Sequence, residues 1–236
     1  MVGDSRVRVS IIINNHNYGR FLPAAIESAM EQTHLDTEII VVDDGSRDAS
    51  RGIIAGYGDR IVPVLKERGG QASACNAGFA RSRGDVAIFL DSDDILLPDT
   101  ARRVAEIVRS APGVAKVLYR LAVIDDRGTP TGAFTPPASR PLPLGDLRLE
   151  VLQFPDDISW PPTSGNAFPP AVLQRIMPIP EEAYQIAADY YLSNLTPLFG
   201  AVAALDETGG YYRVHGANAS GYGAWDSISA GFAPPS

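Results

Sequence analysis

Short apolar segments rich in β-branched residues alternate with helical patterns through the first half of the chain, and this alternation restricts the fold more than any other feature. The segments lack the polar-apolar alternation of a half-exposed strand, so each is predicted to be buried on both faces of a parallel sheet. The four predicted strands are Val7–Ile13, Glu38–Val42, Ile61–Leu65 and Val86–Leu90. This rhythm predicts an α/β fold with an open, doubly wound, mostly parallel sheet.

Four helices are predicted between or after these strands. In the first, apolar residues from Phe21 to Met30 recur at helical spacing and form one stripe. The second is expected to have Ser46 as its N-cap and Asp48 in its first turn, where a negative charge favours the helix dipole. The third covers residues 72–81, and the fourth opens at Pro98, because proline suits a first helical turn.

The second half of the chain is rich in proline. Twelve of the 19 prolines lie between Pro130 and Pro180, so long regular elements are not expected there. The regular structure predicted is a strand over Val114–Ile124, a turn at 125–128, a helix over Ile186–Leu195 and a strand over Gly210–Val214. No segment here has the periodicity for a second core, so we predict one domain over 1–236, with loops of residues 111–230 laid over a single sheet and a disordered tail at 231–236.

Charge and cysteine content exclude several classes of protein. The 28 Asp and Glu residues outnumber the 20 Lys and Arg residues, and a net charge of −8 argues against nucleic-acid binding, which needs clustered positive charge. Cys75 is the single cysteine, so an intramolecular disulfide is impossible and a reducing compartment is expected. The N-terminal apolar run Val9–Ile13 is too short for a signal peptide, and no stretch reaches the roughly 20 apolar residues of a membrane span. We therefore predict a cytoplasmic protein, with peripheral membrane contact left open.

Two acidic clusters follow directly after predicted strands. Asp43 and Asp44 come after the second strand, and Asp91, Asp93 and Asp94 come after the fourth. Open α/β sheets bind ligands beyond the carboxyl ends of their strands, so both clusters are expected at one cleft. Carboxylates this close repel each other unless a cation lies among them, and Mg²⁺ or Mn²⁺ bound also by substrate phosphates would suit. Either cluster alone could instead cap a helix or form a solvated turn.

Three segments resemble a known family in order and spacing. SIIINNHNYGRFLPAAIESAMEQTH, EIIVVDDGSRDAS and GGQASACNAGFARSRGDVAIFLDSDD resemble the nucleotide-sugar-binding half of the inverting GT-A glycosyltransferases of family two, over about residues 9–108. A weaker match in PPTSGNAF, AADYYL and YYRVHGANAS is similar to the acceptor side of bacterial members. The resemblance implies a Rossmann-like GT-A domain, with residues 1–110 binding the donor and residues 111–230 binding the acceptor.

The same resemblance implies roles for individual residues. The nucleobase loop would contain Asn14, Asn15 and Asn17, and the base or ribose would be bound by Asp43 or Asp44. Further donor-binding residues would be Gln71, Asn76, Asp91 and Ser92. The metal would be held at the DXD motif by Asp93, the favoured direct ligand, with Asp91 and His215. The catalytic base would be Asp189, and the acceptor or sugar side would involve Ser164, Gly165 and Asn166.

The implied reaction is displacement of a nucleoside diphosphate from a nucleotide-diphosphate sugar by an acceptor hydroxyl, with inversion at the anomeric carbon. The acceptor would be a sugar or a lipid-linked sugar, in surface polysaccharide or glycoconjugate synthesis at the inner face of the membrane. Two departures from the family pattern are Cys75, where many relatives have Arg, and Ala188, where the residue before the base is often acidic. Trp160 and Trp225 could stack on an acceptor sugar, although packing against the core is the favoured reading.

The sequence is also compatible with other roles for two residues and for the chain. Asp189 could be an ordinary exposed helix residue, and His215 could simply order its loop. The chain could be a nucleotidyltransferase, but such enzymes carry a glycine-rich basic loop near the N-terminus, and NNHNYGRF has one Arg and one Gly. It could also be a non-catalytic nucleotide-sugar-binding module, which would be favoured if Asp189 faced away from the cleft.

Overall fold

The computed structural model describes residues 7–216 and 218, and two sheets organise this part of the chain. The strands are β1 (Val9–Asn15), β2 (Thr37–Asp44), β3 (Val62–Lys66), β4 (Val86–Asp91), β5 (Ile95–Leu96), β6 (Val114–Leu118), β7 (Leu121–Ile124), β8 (Pro130–Thr135), β9 (Asn166–Phe168), β10 (Ala201–Ala204) and β11 (Gly210–Arg213). The α-helices are α1 (Leu22–Met30), α2 (Ser50–Gly56), α3 (Gln71–Arg81), α4 (Thr100–Ser110), α5 (Arg148–Gln153), α6 (Pro170–Leu173) and α7 (Ala188–Leu195). Trp225 and the tail 231–236, predicted to be disordered, lie outside the described residues.

The larger sheet has seven strands in the order β10-β6-β9-β4-β1-β2-β3. Strand β1 pairs in parallel with both β2 and β4, β2 pairs in parallel with β3, and β6 pairs in parallel with β10. Strand β9 lies antiparallel between β4 and β6 and joins the two parallel parts. The predicted open α/β sheet, with all four of the strands predicted in the first half, is confirmed.

Both faces of this sheet are covered, which explains why its strands are apolar at successive positions. Ile11 and Ile13 of β1 pack on one face with residues of α1 and α4, whereas Ile12 packs on the other face with residues of α3 and α7. Cys75 of α3 is fully buried in this second cluster. None of the helices in residues 7–216 is long and apolar enough to cross a bilayer.

A second sheet, built mainly from the second half of the chain, was not predicted from the sequence. Four short strands pair in the order β5-β11-β7-β8, so the expectation of loops laid over a single sheet is wrong. The predicted strand Val114–Ile124 is also wrong as one element, because the chain leaves the larger sheet after Leu118 and enters the smaller one at Leu121. The turn predicted at 125–128 does connect β7 to β8, where Asp125 accepts hydrogen bonds from the amides of Arg127 and Thr129.

Ser46 does not cap the second helix. Helix α2 begins at Ser50, and the nearby carboxylate of Asp48 accepts hydrogen bonds from the amides of Ser50 (3.0 Å) and Gly19 (2.8 Å). The Ser46 hydroxyl accepts a hydrogen bond from the amide of Asn17 instead, at 2.9 Å. Ser46 therefore ties the loop after β2 to the loop after β1, where the cleft begins.

Candidate active site

The register of the central strands brings the predicted polar residues to one edge of the larger sheet. Asn14 of β1 lies opposite Asp91 of β4, and Asn15 of β1 lies opposite Asp43 of β2. These four residues stand at the carboxyl ends of three neighbouring parallel strands, which is where open α/β sheets form their ligand cleft.

Asp43 is fully buried at the floor of this cleft. Its carboxylate accepts hydrogen bonds from Arg51 Nε (2.8 Å), the Ser46 amide (3.1 Å) and Asn15 Nδ2 (3.2 Å). Burial alone would raise the pKa of this carboxyl, but the hydrogen bonds from Arg51, Ser46 and Asn15 hold the pKa below its ordinary value. Asp43 is therefore a fixed, charged acceptor.

Asp44 makes different contacts from those of Asp43. Its carboxylate accepts hydrogen bonds from Lys66 Nζ (2.6 Å) and from the amides of Gly69 and Gly70, both at 2.8 Å. Gly70 has a φ of +88°, a conformation that an L side chain rarely adopts, and it immediately precedes α3. The charge of Asp44 thus holds the loop that leads into α3.

The three predicted asparagines shape the loop after β1. Asn14 donates to Cys75 Sγ at 3.3 Å, and the buried Oδ1 atoms of Asn14 and Asn15 lack partners among the described residues. Asn17 has a positive φ of 58°, and its side-chain oxygen accepts a hydrogen bond from the Arg47 amide at 2.8 Å. Asn17 therefore ties the loop after β1 to the loop after β2, while Asn14 and Asn15 keep unused acceptor atoms buried at the end of β1.

Three carboxylates crowd the end of β4. Burial raises the pKa of Asp91 to about 8, with further contributions from the charges of Asp93 and Asp189. Burial also raises the pKa of Asp93, and it raises that of Asp94 together with the charges of Asp93 and Asp91. Ser92 lies between them, buried, and its hydroxyl has no partner among the described residues. Positive charge supplied at this point would relieve the repulsion.

A strand of the smaller sheet delivers cationic and aromatic groups to these carboxylates. Arg213 of β11 is buried, and it donates from its amide to Asp94 Oδ1 and from Nε to the Asp93 carbonyl, both at 2.9 Å. His215 Nε2 lies 3.0 Å from Asp93 Oδ2. Tyr18 stacks edge-on against His215, and burial together with the acidic cluster raises the pKa of Tyr18 to about 12. A cavity of about 550 Å³ opens beside Tyr18 and His215.

Asp189 lies in the first turn of α7, and hydrogen bonds connect that helix to the acidic cluster. Gln71 accepts a hydrogen bond from the amide of Ala188 at 2.9 Å and donates one to the Thr163 hydroxyl at 3.2 Å. Side-chain hydrogen bonds from Thr163 and Gln71 in turn act on Asp91. Burial raises the pKa of Asp189, whereas its own hydrogen bonds and the charge of Lys116 oppose the increase. Asp189 is half-buried, and its charge contributes to the raised pKa of Asp91.

The other predicted contact residues are occupied in building the cleft walls. Asn76 donates to the Ile179 carbonyl (2.9 Å) and accepts from the Ile179 amide (2.8 Å), so it clamps the segment before α7. Ser164, Gly165 and Asn166 are buried beneath the cleft. Ser164 accepts a hydrogen bond from the Asp91 amide at 3.0 Å, and Asn166 donates to the Pro162 carbonyl at 2.7 Å. These contacts support the site from below.

The donor set at the end of β4 fits a divalent cation bound by few protein ligands. In residues 7–216 and 218, no group of three or more His, Cys, Asp and Glu side chains is placed to hold a metal ion. Asp93 and His215 do lie within hydrogen-bond distance of each other, beside two further carboxylates whose charges repel. Mg²⁺ is commonly bound through one or two carboxylates and substrate phosphates, so this arrangement agrees with the oxygen-rich chemistry of such a site.

Sequence reasoning missed four residues of the site: Tyr18, Lys116, Thr163 and Arg213. Arg213 and Thr163 reach the cluster from segments more than 70 residues away in sequence, and local patterns carry no information on such contacts. Lys116 had a usable signal, because it is one of two charged residues, with Arg120, inside a predicted strand that is otherwise free of charge.

The fold is that of the GT-A glycosyltransferases. TarS (residues 1–349) of S. aureus in complex with UDP-GlcNAc superimposes with a TM-score of 0.67 and 19% identity, covering 88% of this chain and 59% of that one. The mannosyltransferase PcManGT of Pyrobaculum calidifontis, in complex with GDP-Man and Mn²⁺, gives a TM-score of 0.65 and 18% identity, covering 98% and 67%.

Residues 10–145 match the model of glycosyl transferase family 2, and the chain belongs to this family. An uncharacterized glycosyltransferase of Nostoc sp. (strain PCC 7120) is 38% identical over 216 residues, which are 90% of this chain. The chain spans 66% of the length of that relative.

Proposed function

We propose that this protein transfers a sugar from a nucleotide-diphosphate sugar to an acceptor hydroxyl, with inversion at the anomeric carbon and with Mg²⁺ or Mn²⁺. The observation that carries the proposal is the position of Asp189, a half-buried carboxylate whose charge acts on Asp91 and whose neighbour Ala188 is hydrogen-bonded through its amide to Gln71. In this proposal Asp189 would be the proton acceptor, and the acidic cluster at the end of β4 would bind the cation. The complexes of TarS with UDP-GlcNAc and of PcManGT with GDP-Man and Mn²⁺ support the same class of donor.

The donor half would bind the nucleotide between the residues at the ends of β1 and β2 and the acidic cluster at the end of β4. The buried residues Asp43, Asn14 and Asn15 would form the floor of the pocket for the base and ribose, with Asp43 as its fixed negative charge. Asp93 and His215 would hold the cation, with Asp91 adjacent. When bound, the cation would neutralise charge that develops on the leaving diphosphate.

Asp189 would act as the general base. A carboxylate with a raised pKa is a stronger base than an ordinary aspartate, and a well-placed base contributes roughly 10²–10⁴-fold to rate. It would take the proton of the acceptor hydroxyl as that oxygen attacks the anomeric carbon opposite the leaving group. One base and no covalent enzyme intermediate are needed, and the product has the inverted configuration. The expectation of a role in polysaccharide or glycoconjugate synthesis near the membrane rests on the family resemblance alone.

The test separates donor binding from transfer. We expect UDP or GDP with Mn²⁺ to raise the melting temperature of the wild-type protein, and Asp93→Asn to remove most of that shift. Asp189→Asn should keep the shift and lower the transfer rate by about 10²-fold or more, because an amide cannot take up the proton. Asp59→Asn, at an exposed acid before the amino end of β3, is the matched control and should change neither quantity.

Three results would contradict parts of the proposal. Full transfer activity in Asp189→Asn would exclude Asp189 as the base, and a product with retained configuration would exclude inversion. Donor binding without transfer to any hydroxyl acceptor would favour the non-catalytic binding module. Formation of a nucleotide sugar from a nucleoside triphosphate and a sugar phosphate would favour the nucleotidyltransferase.

A further inference from the structure

Lys116 is a buried lysine that the proposed mechanism does not use. It lies on β6 with no exposed surface, and its Nζ has no hydrogen-bond partner among the described residues. Lysine is almost never fully buried unless its charge is compensated, because an unpaired ammonium loses several kcal/mol of hydration. The surroundings of Lys116 must therefore supply that compensation in another form.

Two aromatic rings face the ammonium group. Lys116 Nζ lies 4.1 Å from the ring centroid of Trp160 and 5.5 Å from that of Phe168, which is cation–π geometry. Trp160 is fixed in place because its Nε1 donates to Asn194 Oδ1 at 3.0 Å, and Asn194 itself donates to the Tyr190 carbonyl at 3.1 Å. Asn194 and Tyr190 belong to α7, so the ring over the ammonium is attached to the helix that carries Asp189.

The charge that acts on Lys116 is that of Asp189. Burial lowers the pKa of Lys116 well below its ordinary value and the Asp189 charge opposes this, while Lys116 in return lowers the burial-raised pKa of Asp189. Asp189 also faces Asp91 at the end of β4 and Cys75 on α3, whose pKa values it raises. Both of those groups are acidic, so Lys116 is the cationic group among these neighbours of Asp189.

We propose that Lys116 is a positioning residue for Asp189: its ammonium, held against Trp160 and Phe168, keeps the Asp189 carboxylate charged and directed across the cleft. This inference rests on the proposed function, because it assigns Lys116 to the base of that reaction. Full burial of Lys116 prevents contact with substrate, so its effect must reach the acceptor through Asp189. Removing the positive charge should therefore alter turnover and leave donor binding intact.

The charge of Lys116 can be measured without turnover. The sequence has two tryptophans, so in a Trp225→Phe background Trp160 is the sole indole reporter. An ammonium against the indole face perturbs its emission, so we expect a step in Trp160 emission as pH is raised and Lys116 loses its proton. Lys116→Met, similar in volume and uncharged, should abolish the step, while Lys116→Arg should keep Trp160 in its charged-state emission across the range. The same titration curve in Lys116→Met and the parent protein would overturn the proposal.

The coupling to Asp189 is tested by the pH profile of kcat. Loss of a nearby cation raises the pKa of a carboxyl, so Lys116→Met should move the acidic limb of kcat upward by about one pH unit or more and leave the donor KM unchanged. Lys116→Arg should restore the wild-type limb. A limb that does not move in Lys116→Met overturns the positioning role, provided that Mn²⁺ and nucleotide still stabilise the variant. If the parent protein transfers no sugar to any acceptor, the proposed function fails, whereas the emission titration still decides whether Lys116 is charged.

Discussion

Neighbouring carboxylates of the cleft differ in what already surrounds them, and this difference decides what each can bind. The carboxylate of Asp44 accepts hydrogen bonds from Lys66 and from two backbone amides, so its charge is compensated within the protein. Asp43 keeps a depressed pKa through Arg51 and its other donors. The pKa of Asp91 is shifted in the opposite direction, because burial and adjacent carboxylates raise it to about 8.

This raised pKa makes the stability of the cation-free protein depend on pH. An unfolded aspartate titrates near pH 3.9, so between about pH 4 and pH 8 the folded protein binds the additional proton at Asp91 and its unfolding free energy falls as pH rises. In EDTA, we expect a decrease of roughly 1–3 kcal/mol from pH 5 to pH 8 in urea unfolding. Asp91→Asn should reduce that decrease, and Asp59→Asn should preserve it. An unchanged slope in Asp91→Asn would show that other groups cause the dependence.

At this scale, sequence reasoning could predict residue types at the sheet edge but not their partners. Asp43 and Asp91 were predictable because each ends an apolar strand, and parallel strands share a carboxyl edge. The clamp made by Asn76 was not, since its partner Ile179 lies 103 residues further along the chain. The contact of Arg213 with Asp94 spans 119 residues. Hydrogen bonds between residues this far apart in sequence produce no local periodic pattern from which they could be predicted.

Among the elements, α3 packs against the centre of the larger sheet through a glycine. A Cβ atom at Gly78 would lie 2.3 Å from Cγ2 of Ile12 and 3.0 Å from Cγ2 of Val42, both buried. Both neighbours are β-branched, with few alternative rotamers, so they cannot easily move aside. The close approach sets how near α3, with Gln71 at its first turn, lies to the cleft.

Gly78→Ala should therefore destabilise the protein, by about 1–3 kcal/mol, as expected for overpacking in a core. Gly52→Ala is the matched control, because a Cβ there meets nothing within 4 Å on helix α2. Helix propensity predicts that this control gains up to about 1 kcal/mol. Urea unfolding of both variants provides the measurement. Equal stability of the two variants would mean that α3 can shift away from the sheet at little cost.

The elements of the first half could be predicted because each carries its own signal. Strands β1, β2 and β4 each contain an uninterrupted run of at least three apolar residues, and α1 has one apolar stripe. The break between β6 and β7 was harder to predict. Its local mark is Tyr119-Arg120 between two mainly apolar segments, which pair with different strands far along the chain. Strands β9 and β11 are three and four residues long, so their pairing depends on the rest of the fold.

At the scale of the whole molecule, the net charge of −8 opposes an anionic nucleotide until a cation is present. Salt screens this long-range repulsion, with a Debye length of about 10 Å at 0.1 M. Without divalent cations, we expect UDP to bind more tightly at about 0.3 M NaCl than at about 0.02 M, by twofold or more. With saturating Mn²⁺, the increase in UDP affinity caused by salt should be smaller. Isothermal titration would test this, and affinity that falls with salt in EDTA would show that local cationic contacts dominate instead.

The position of β9 has a consequence for how the chain can reach its folded state. Residues 166–168 fill the gap between β4 and β6, so both of those strands have an unpaired edge until this late segment arrives. Unpaired strand edges are templates for aggregation, and synthesis proceeds from the N-terminus. A nascent chain that has emerged only as far as residue 145, where the family match ends, does not yet contain β9. The facing edges of β4 and β6 therefore still lack the strand that pairs with both. Roughly twenty more residues must emerge from the ribosome before β9 can pair with these two strands.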